Sequence, residues 1–413
     1  MKFRWETEFK ETEIGKIPKD WEVKRIEDIG EVSGGTTPST KRKEYWDGDI
    51  PWITPEDLAE YEYRYISKGK RNITKKAVED ISIKLYPPGT VLLTSRAPIG
   101  YVAIAKNYLA TNQGFRNIIP KNSKIVSEYL YYLLKILKRP LESMAGGSTF
   151  PELSGSTLKK VLIPYPPPPE QSRIATVLSW FDDLIENKKK QNEILEKMAM
   201  AIFKSWFVDF EPFQDEEFVY NEELGREIPK GWEVRRFGDI SEFYDHKRIP
   251  LSEIERQKKR GSYPYYGANG VIDYIDDYIF DGKYLLVAED GTVTDARGFA
   301  VAEIVEGKFW ANNHVHVIQG KNSVPTEFLY LVLKHTPIEP YVTGAVQPKL
   351  NQKNFAKILV LLPPQPILQS FHSLVEPLFQ KIILNQKQIM TLRKVRDTLL
   401  PLLVFGKLRV EEI

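Results

Sequence analysis

Apolar residues recur along this chain in two rhythms, and each rhythm appears twice. Short runs such as TVLLTS (90–95), YVAIA (101–105), YLLVAE (284–289) and VHVI (315–318), bounded by Gly, Pro and Asn, predict strands. Segments 126–138 and 326–335 have helical periodicity, each opening after a Ser or Thr cap candidate. Beyond a proline cluster in each half, residues 170–208 and 366–405 contain no glycine and place apolar residues three and four apart. In the second stretch Phe371, Val375, Leu378, Ile382, Asn385, Ile389, Leu392, Arg396 and Leu399 alternate in steps of four and three. An offset of 198 carries that register onto Arg173, Val177, Trp180, Leu184, Asn187, Gln191, Ile194, Met198 and Ala201. A sustained period of about 3.5 residues is a coiled-coil seam. Asn187 and Asn385 then fall on it at equivalent places, where a buried Asn fixes register. Two core helices of one large domain are the alternative, and Pro377 and Pro401 should bend the second helix.

The rhythms repeat because the chain is duplicated, a feature best sought before local structure. IPKDWEVKRIEDIGE (17–31) returns as IPKGWEVRRFGDISE (228–242), with 10 of 15 positions identical. LATNQGFRNII (109–119) answers WANNHVHVIQ (310–319), aligning Asn112 with Asn313 and Gln113 with His314. GSTFPELSGSTLKKVLI (147–163) answers GAVQPKLNQKNFAKILV (344–360). Two copies of this length are too few and too long for a solenoid. The expected architecture is α+β: two tandem domains, 1–165 and 211–363, with long helices over 166–210 and 364–413. The helices are expected to pair as an antiparallel coiled coil about a pseudo-twofold axis. At 1.5 Å per residue each would be about 60 Å long, or about 17 base pairs of DNA.

Composition narrows the chemistry. The 413 residues hold no cysteine, which excludes disulfides, thiolate metal sites and a cysteine nucleophile. No window resembles a membrane span or a signal peptide, so the cytoplasm is the expected home. Net charge is only +2. Residues 1–160 carry 27 Lys and Arg against 21 Asp and Glu, and residues 211–364 carry 18 against 24. A nucleic-acid surface in the second half must therefore be a local patch, such as Lys247–Arg248. There is no phosphate loop, no polar residue ahead of the paired prolines in YPPG or LPPQ, and no convincing nuclease triad. His314 and His316 share a strand face but lack an evident third metal ligand.

The motifs IGKIPKDWEV, LGREIPKGWEV, SRAPIGYVAI, ATNQGF, GSTFPELS with GAVQPKLN, IPYPPPPEQSRI and FKSWFVDFEPF, in order and duplicated, resemble the specificity subunits of type I restriction–modification systems. The resemblance covers essentially the whole chain. It implies two target recognition domains, each reading half of a bipartite, asymmetric sequence in double-stranded DNA. It also implies helices that act as a ruler and dock two methyltransferase subunits, with restriction subunits joining through the complex. S-adenosylmethionine, ATP and magnesium would then belong to those partners, and this chain would hold no cofactor. A two-headed protein scaffold without DNA contact is the alternative.

Base reading needs donors and acceptors that reach base edges, with further donors on phosphates. The first-copy candidates are Thr36, Thr37, Lys41 and Arg42 in a loop that either anchors phosphate or is merely solvated. Arg96 either enters a groove or forms an internal salt bridge. Gln113, Arg116, Ser148 and Thr149 differ from their counterparts, as specificity residues should. The second-copy candidates are Lys247, Arg248, Asn269, His314, Gln347 and Lys349. Asn112 and Asn313, shared by both copies, are expected to do a structural job. Phe203, Trp206 and Phe207 exceed what a two-helix seam can bury and suggest either a partner interface or packing on the neighbouring globule.

Overall fold

A computed structural model describes residues 2–412 apart from Glu60, Ala97, Asn122, Ser123, Ser148–Phe150 and Ala345. Four helices organise it: α1 (Ser127–Ile136), α2 (Pro168–Phe207), α3 (Thr326–His335) and α4 (Gln365–Val404). By compactness the chain divides into two units, 1–187 with 389–413, and 188–388. Each unit is therefore one α+β globule together with part of both long helices.

In the first unit a five-stranded sheet runs in the order Gly30–Gly34, Arg116–Pro120, Val91–Ser95, Ile99–Ala105, Tyr65–Ile66. Its neighbours are antiparallel except the last pair, which is parallel. A smaller sheet pairs Ala110–Thr111 in parallel with Trp52 and Ile53. Val91–Ser95 is buried at every position, as expected of a central strand covered on both faces. α1 buries Tyr129 through Leu134 in the same core as Ile174, Val177 and Leu178 of α2 and Leu403 and Val404 of α4. The sequence beyond α4 departs from the expected helix. Gly406, at φ +68°, lies against Pro18 and Trp21, and residues Leu408–Glu412 pair antiparallel with Lys2–Trp5.

The second unit rebuilds this plan as one six-stranded sheet, in the order Ser241–Phe243, Val315–Gly320, Phe280–Ala288, Ala302–Ala311, Arg260–Gly267, Gly270–Ile275. Its core joins Phe328 through Leu333 of α3 to Ala199, Phe203 and Phe207 of α2 and Phe371, Val375 and Phe379 of α4.

Within each unit the two long helices run antiparallel. In the first, Arg396 Nη1 of α4 donates to Asp182 Oδ1 of α2 at 2.5 Å, while Arg173 Nε near the start of α2 reaches the Val410 carbonyl, just past the end of α4, at 2.6 Å. In the second, Asn385 Nδ2 donates to Asn192 Oδ1 at 2.9 Å and the Phe203 and Phe371 rings lie 6.2 Å apart. The seam of α4 is as expected: Phe371, Val375, Ile382, Asn385 and Ile389 are buried, and Leu378, Leu392 and Leu399 partly so. α4 continues through both Pro377 and Pro401.

The expected seam of α2 is one residue out of phase. Val177 is buried, but Leu184 (49% exposed), Ile194 (58%), Met198 (48%) and Asn187 face solvent. The buried positions are Ile174, Leu178, Ile185 and Ala199, with Phe181, Lys188, Asn192 and Leu195 partly covered. The copies therefore differ by 197 in this region, which is also the offset between the starts of α2 and α4. Asn385 accordingly has Lys188, not Asn187, as its counterpart, and it meets the side chains of Asn192 and, at 3.3 Å, Gln191.

The three aromatics at the end of α2 pack at home. Phe203 and Phe207 are buried among Phe328, Phe371 and Trp232, and Trp206 is partly covered against Phe213 and Phe371. Phe203 and Phe207 thus belong to the second core, not to a partner interface, and Trp206 packs against the edge of that core.

Candidate nucleic-acid interface

In the first unit four chain segments meet where the central strand ends. The Ser95 N–H donates to the Gly114 carbonyl at 2.8 Å, and the Ser95 carbonyl accepts from Leu153 N–H at 2.9 Å. Asn112 Oδ1 folds back onto Gly114 N–H at 2.8 Å, closing a side-chain turn. The Thr36 N–H completes the frame by donating to the Thr111 carbonyl at 2.9 Å. Gly35 is required there, since a Cβ would sit 2.2 Å from the carbonyl oxygens of Thr111 and Asn112.

The frame gathers most of the first-copy candidates. Thr37 hydrogen-bonds through its hydroxyl to the exposed Gln113 side chain. Arg116 pairs with Glu152 at 2.7 Å and also donates to the Phe115 carbonyl at 2.8 Å. Arg96, half-exposed, has no hydrogen-bond or ion-pair partner among the described residues. Thr36 is half-buried, while Lys41 and Arg42 are exposed; Arg42 donates to the Tyr45 hydroxyl at 2.6 Å. Ser148 and Thr149 lie outside the described residues.

The second unit repeats three of these four bonds. Glu289 N–H donates to the His314 carbonyl at 2.9 Å, and the Glu289 carbonyl accepts from Leu350 N–H at 2.8 Å. Asn312 Oδ1 accepts from His314 N–H at 2.9 Å. Asn112 and Asn312 also make the same backbone bond to a parallel neighbour, to Ile53 and Tyr266 respectively. The structural partner of Asn112 is thus Asn312, not Asn313. Gln113 consequently matches Asn313, and His314 takes the place of Gly114. Two consecutive asparagines made the alignment ambiguous, and only the hydrogen bonds resolve it.

Side chains on this second frame are heavily paired. Arg248, nearly buried, donates to Glu289 at 2.7 Å and to the Val315 carbonyl at 2.8 Å, which makes it an internal cation and not a free base reader. Lys349 also reaches Glu289, at 3.1 Å. The exposed His314 donates from Nδ1 to both Asp290 oxygens at 2.8 and 2.9 Å. Lys247, Asn269 and Gln347 are exposed, and Asn269 sits at a hairpin tip beside Gly270, at φ +96°.

Asp245, Glu289 and His316 lie close enough together to share a metal ion. Their ligand atoms are already engaged: His316 Nδ1 lies 2.6 Å from an Asp245 oxygen and Nε2 2.6 Å from the Leu350 carbonyl oxygen. Arg248 and Lys349 neutralise the carboxylates. The cluster is a charge lattice that ties three loops together. Sequence reasoning passed over Glu289, Asp290 and Glu152, although Glu152 lies in the matched segments PELS and PKLN and Glu289 ends the strand run YLLVAE.

Among the described residues no helix is long and apolar enough to cross a membrane. The family model for the type I restriction modification DNA specificity domain matches residues 18–197 and again 229–394. The type I restriction enzyme MjaIX specificity subunit of Methanocaldococcus jannaschii is 58% identical over 433 aligned positions, covering 100% of this chain and 99% of the relative. A putative type I restriction enzyme specificity subunit, MjaX, of the same organism is 27% identical, with 100% and 99% covered. The crystal structure of a type I restriction–modification S subunit from M. genitalium shares the fold, with a TM-score of 0.55 at 20% identity over 93% of this chain and 96% of that one. The twice-built loop frame, the paired long helices and the family match over both copies agree: this chain belongs to the specificity subunits of type I restriction–modification enzymes.

Proposed function

We propose that each unit reads one half of a bipartite, asymmetric site in double-stranded DNA through its loop frame, while the two long helices set the spacing and dock two methyltransferase subunits. The observation that carries this reading is one backbone frame built twice with different side chains upon it. Thr37, Arg96 and Gln113 occupy it in the first unit, and Asn313, His314 and Asp290 in the second. Two readers of different sequences on the same kind of duplex need a constant frame and variable donors and acceptors.

The helices supply the rest. Forty residues of α-helix span about 60 Å. The outward stripe of α2 leaves Trp180 and Leu184 in the first unit, and Ile194 and Met198 in the second, exposed for an apolar partner surface. In this reading the methyltransferase partners carry S-adenosylmethionine, and restriction subunits joining through the complex bring ATP and magnesium. The chain acts by recognition, and the cytoplasm is where it works.

Adenine-methylation sequencing of a host expressing the chain with its neighbouring methyltransferase gene tests this. Two short specific elements around a fixed gap are the expected motif. Equal binding of random and cognate DNA by the purified complex at every salt concentration would refute it. Failure to methylate, with the methyltransferase soluble and copurifying, would favour a protein scaffold.

A further inference from the structure

The two frames carry opposite chemistry at one equivalent corner, and we infer that this corner selects the base class each unit accepts: Arg96 a guanine, and the Asp290–His314 pair a base with an exocyclic amino group in the major groove. The inference rests on the DNA-reading function proposed above.

The equivalence is set by hydrogen bonds. Ser95 and Glu289 make the same two backbone bonds, so the residues that follow them, Arg96 and Asp290, are counterparts. Arg96 is half-exposed and lacks a partner among the described residues, so its guanidinium offers donors only. Asp290 instead accepts from His314 Nδ1 through both oxygens. Each of those oxygens keeps a further lone pair, so the Asp290 carboxylate, 17% exposed and held in place by His314, remains an acceptor toward a base. Nearby cations do not reverse this, because Arg248 and Lys349 are bound to Glu289. One corner is therefore a donor and the other an acceptor.

Base edges in the major groove sort by the same property. Guanine presents two acceptors, N7 and O6, to which arginine binds bidentately, whereas cytosine N4 and adenine N6 present amino donors. A good bidentate pair discriminates on the order of ten- to a hundredfold against a wrong base. Cytosine and adenine share the amino group, and the methylated motif itself tells them apart.

The test is methylation-motif sequencing with the full chain and its methyltransferase, comparing the native protein with Arg96→Gln, Arg96→Lys, Asp290→Asn and His314→Gln. Copurification with the methyltransferase establishes that each variant folds. R96Q should lose on the order of tenfold or more of its preference for guanine at a single position of one half-site. R96K, still a donor, should retain part of it. D290N and H314Q should relax a single amino-bearing position in the other half-site only. Motifs unchanged in all variants overturn the inference, as does a uniform loss over all sequences with a shallower salt dependence, which marks a phosphate contact. If the native complex yields no bipartite motif, the DNA-reading function itself has failed; if the motif is present and unmoved by the variants, only the corner assignment has.

Discussion

Asp182 is where removal of one charge should be felt most. Its side chain is nearly buried on α2 and accepts from the Tyr132 hydroxyl at 2.6 Å and from Arg396 of α4 at 2.5 Å. Arg64, also nearly buried, stands 3.9 Å away. One carboxylate thus joins both long helices to α1 and the sheet region of the first unit. Breaking a buried ion pair from one side costs roughly 3–5 kcal/mol, because the remaining charge stays desolvated. Asp182→Asn keeps the shape and one accepting oxygen, which places it near the lower end, about 3 kcal/mol. Arg64 and Arg396 would then face each other, balanced by Asp183 and Asp397, both at 2.8 Å and more exposed. For a unit of roughly 200 residues each kcal/mol moves the midpoint by about 2–4 °C, so D182N should lower the thermal midpoint of the first unit by about 6–12 °C. Scanning calorimetry of the full chain reads this. Arg396→Met added to D182N should recover part of the loss, as coupled partners do. A D182N midpoint within 1 °C of the native protein would refute the reasoning and show that Asp183 and Asp397 already satisfy both guanidiniums.

Acid should release the chain ends. Burial opposes ionisation of Glu6, but the N–H groups of Glu8 and Thr7 and the guanidiniums of Arg409 and Arg4 hold its carboxyl at about 2. Stability from this group is therefore full above about 4.5 and is lost as pH falls toward about 2. The fluorescence of Trp21, whose indole lies beneath Arg409, should report the release, and Arg409→Met should flatten that pH dependence. Ile194→Asp or Met198→Asp should leave stability within about 0.5 kcal/mol yet abolish copurification with the methyltransferase; normal copurification would dismiss the outward stripe as its dock. Phe207→Ala should instead cost about 3–5 kcal/mol in thermal unfolding through its aromatic cluster. Asn385→Leu should raise the midpoint, because it removes a buried amide oxygen without a partner, a burden of about 1–3 kcal/mol; a lowered midpoint would assign the Asn385–Asn192 bond a larger role.

Sequence alone determined the duplication, the order of elements, the two glycine-free helices and their 3–4 spacing, because each is a local pattern written into neighbouring residues. The seam of α4 was legible for the same reason, its inner positions being the more apolar. On α2 the outward stripe of Trp180, Leu184, Ile194 and Met198 has the same spacing as the inward one, which contains Lys188 and Asn192. Periodicity supplies a spacing but no phase, so only packing against α4, α1 and α3 decided which stripe is buried. The reading face divided in the same way. Arg96 and Gln113 could be singled out as polar residues beside strand ends, but their counterparts could not, because Asn312 and Asn313 are adjacent and identical. The bond from Asn312 Oδ1 to His314 N–H settled that register. Likewise the choice between a free cation and a paired one at Arg116, Arg248 and Lys349 depends on Glu152 and Glu289, which lie 36 to 60 residues away along the chain and within 3.1 Å in space. Charge pairing acts through distance in space, and that distance exists only once the sheet has brought the loops together.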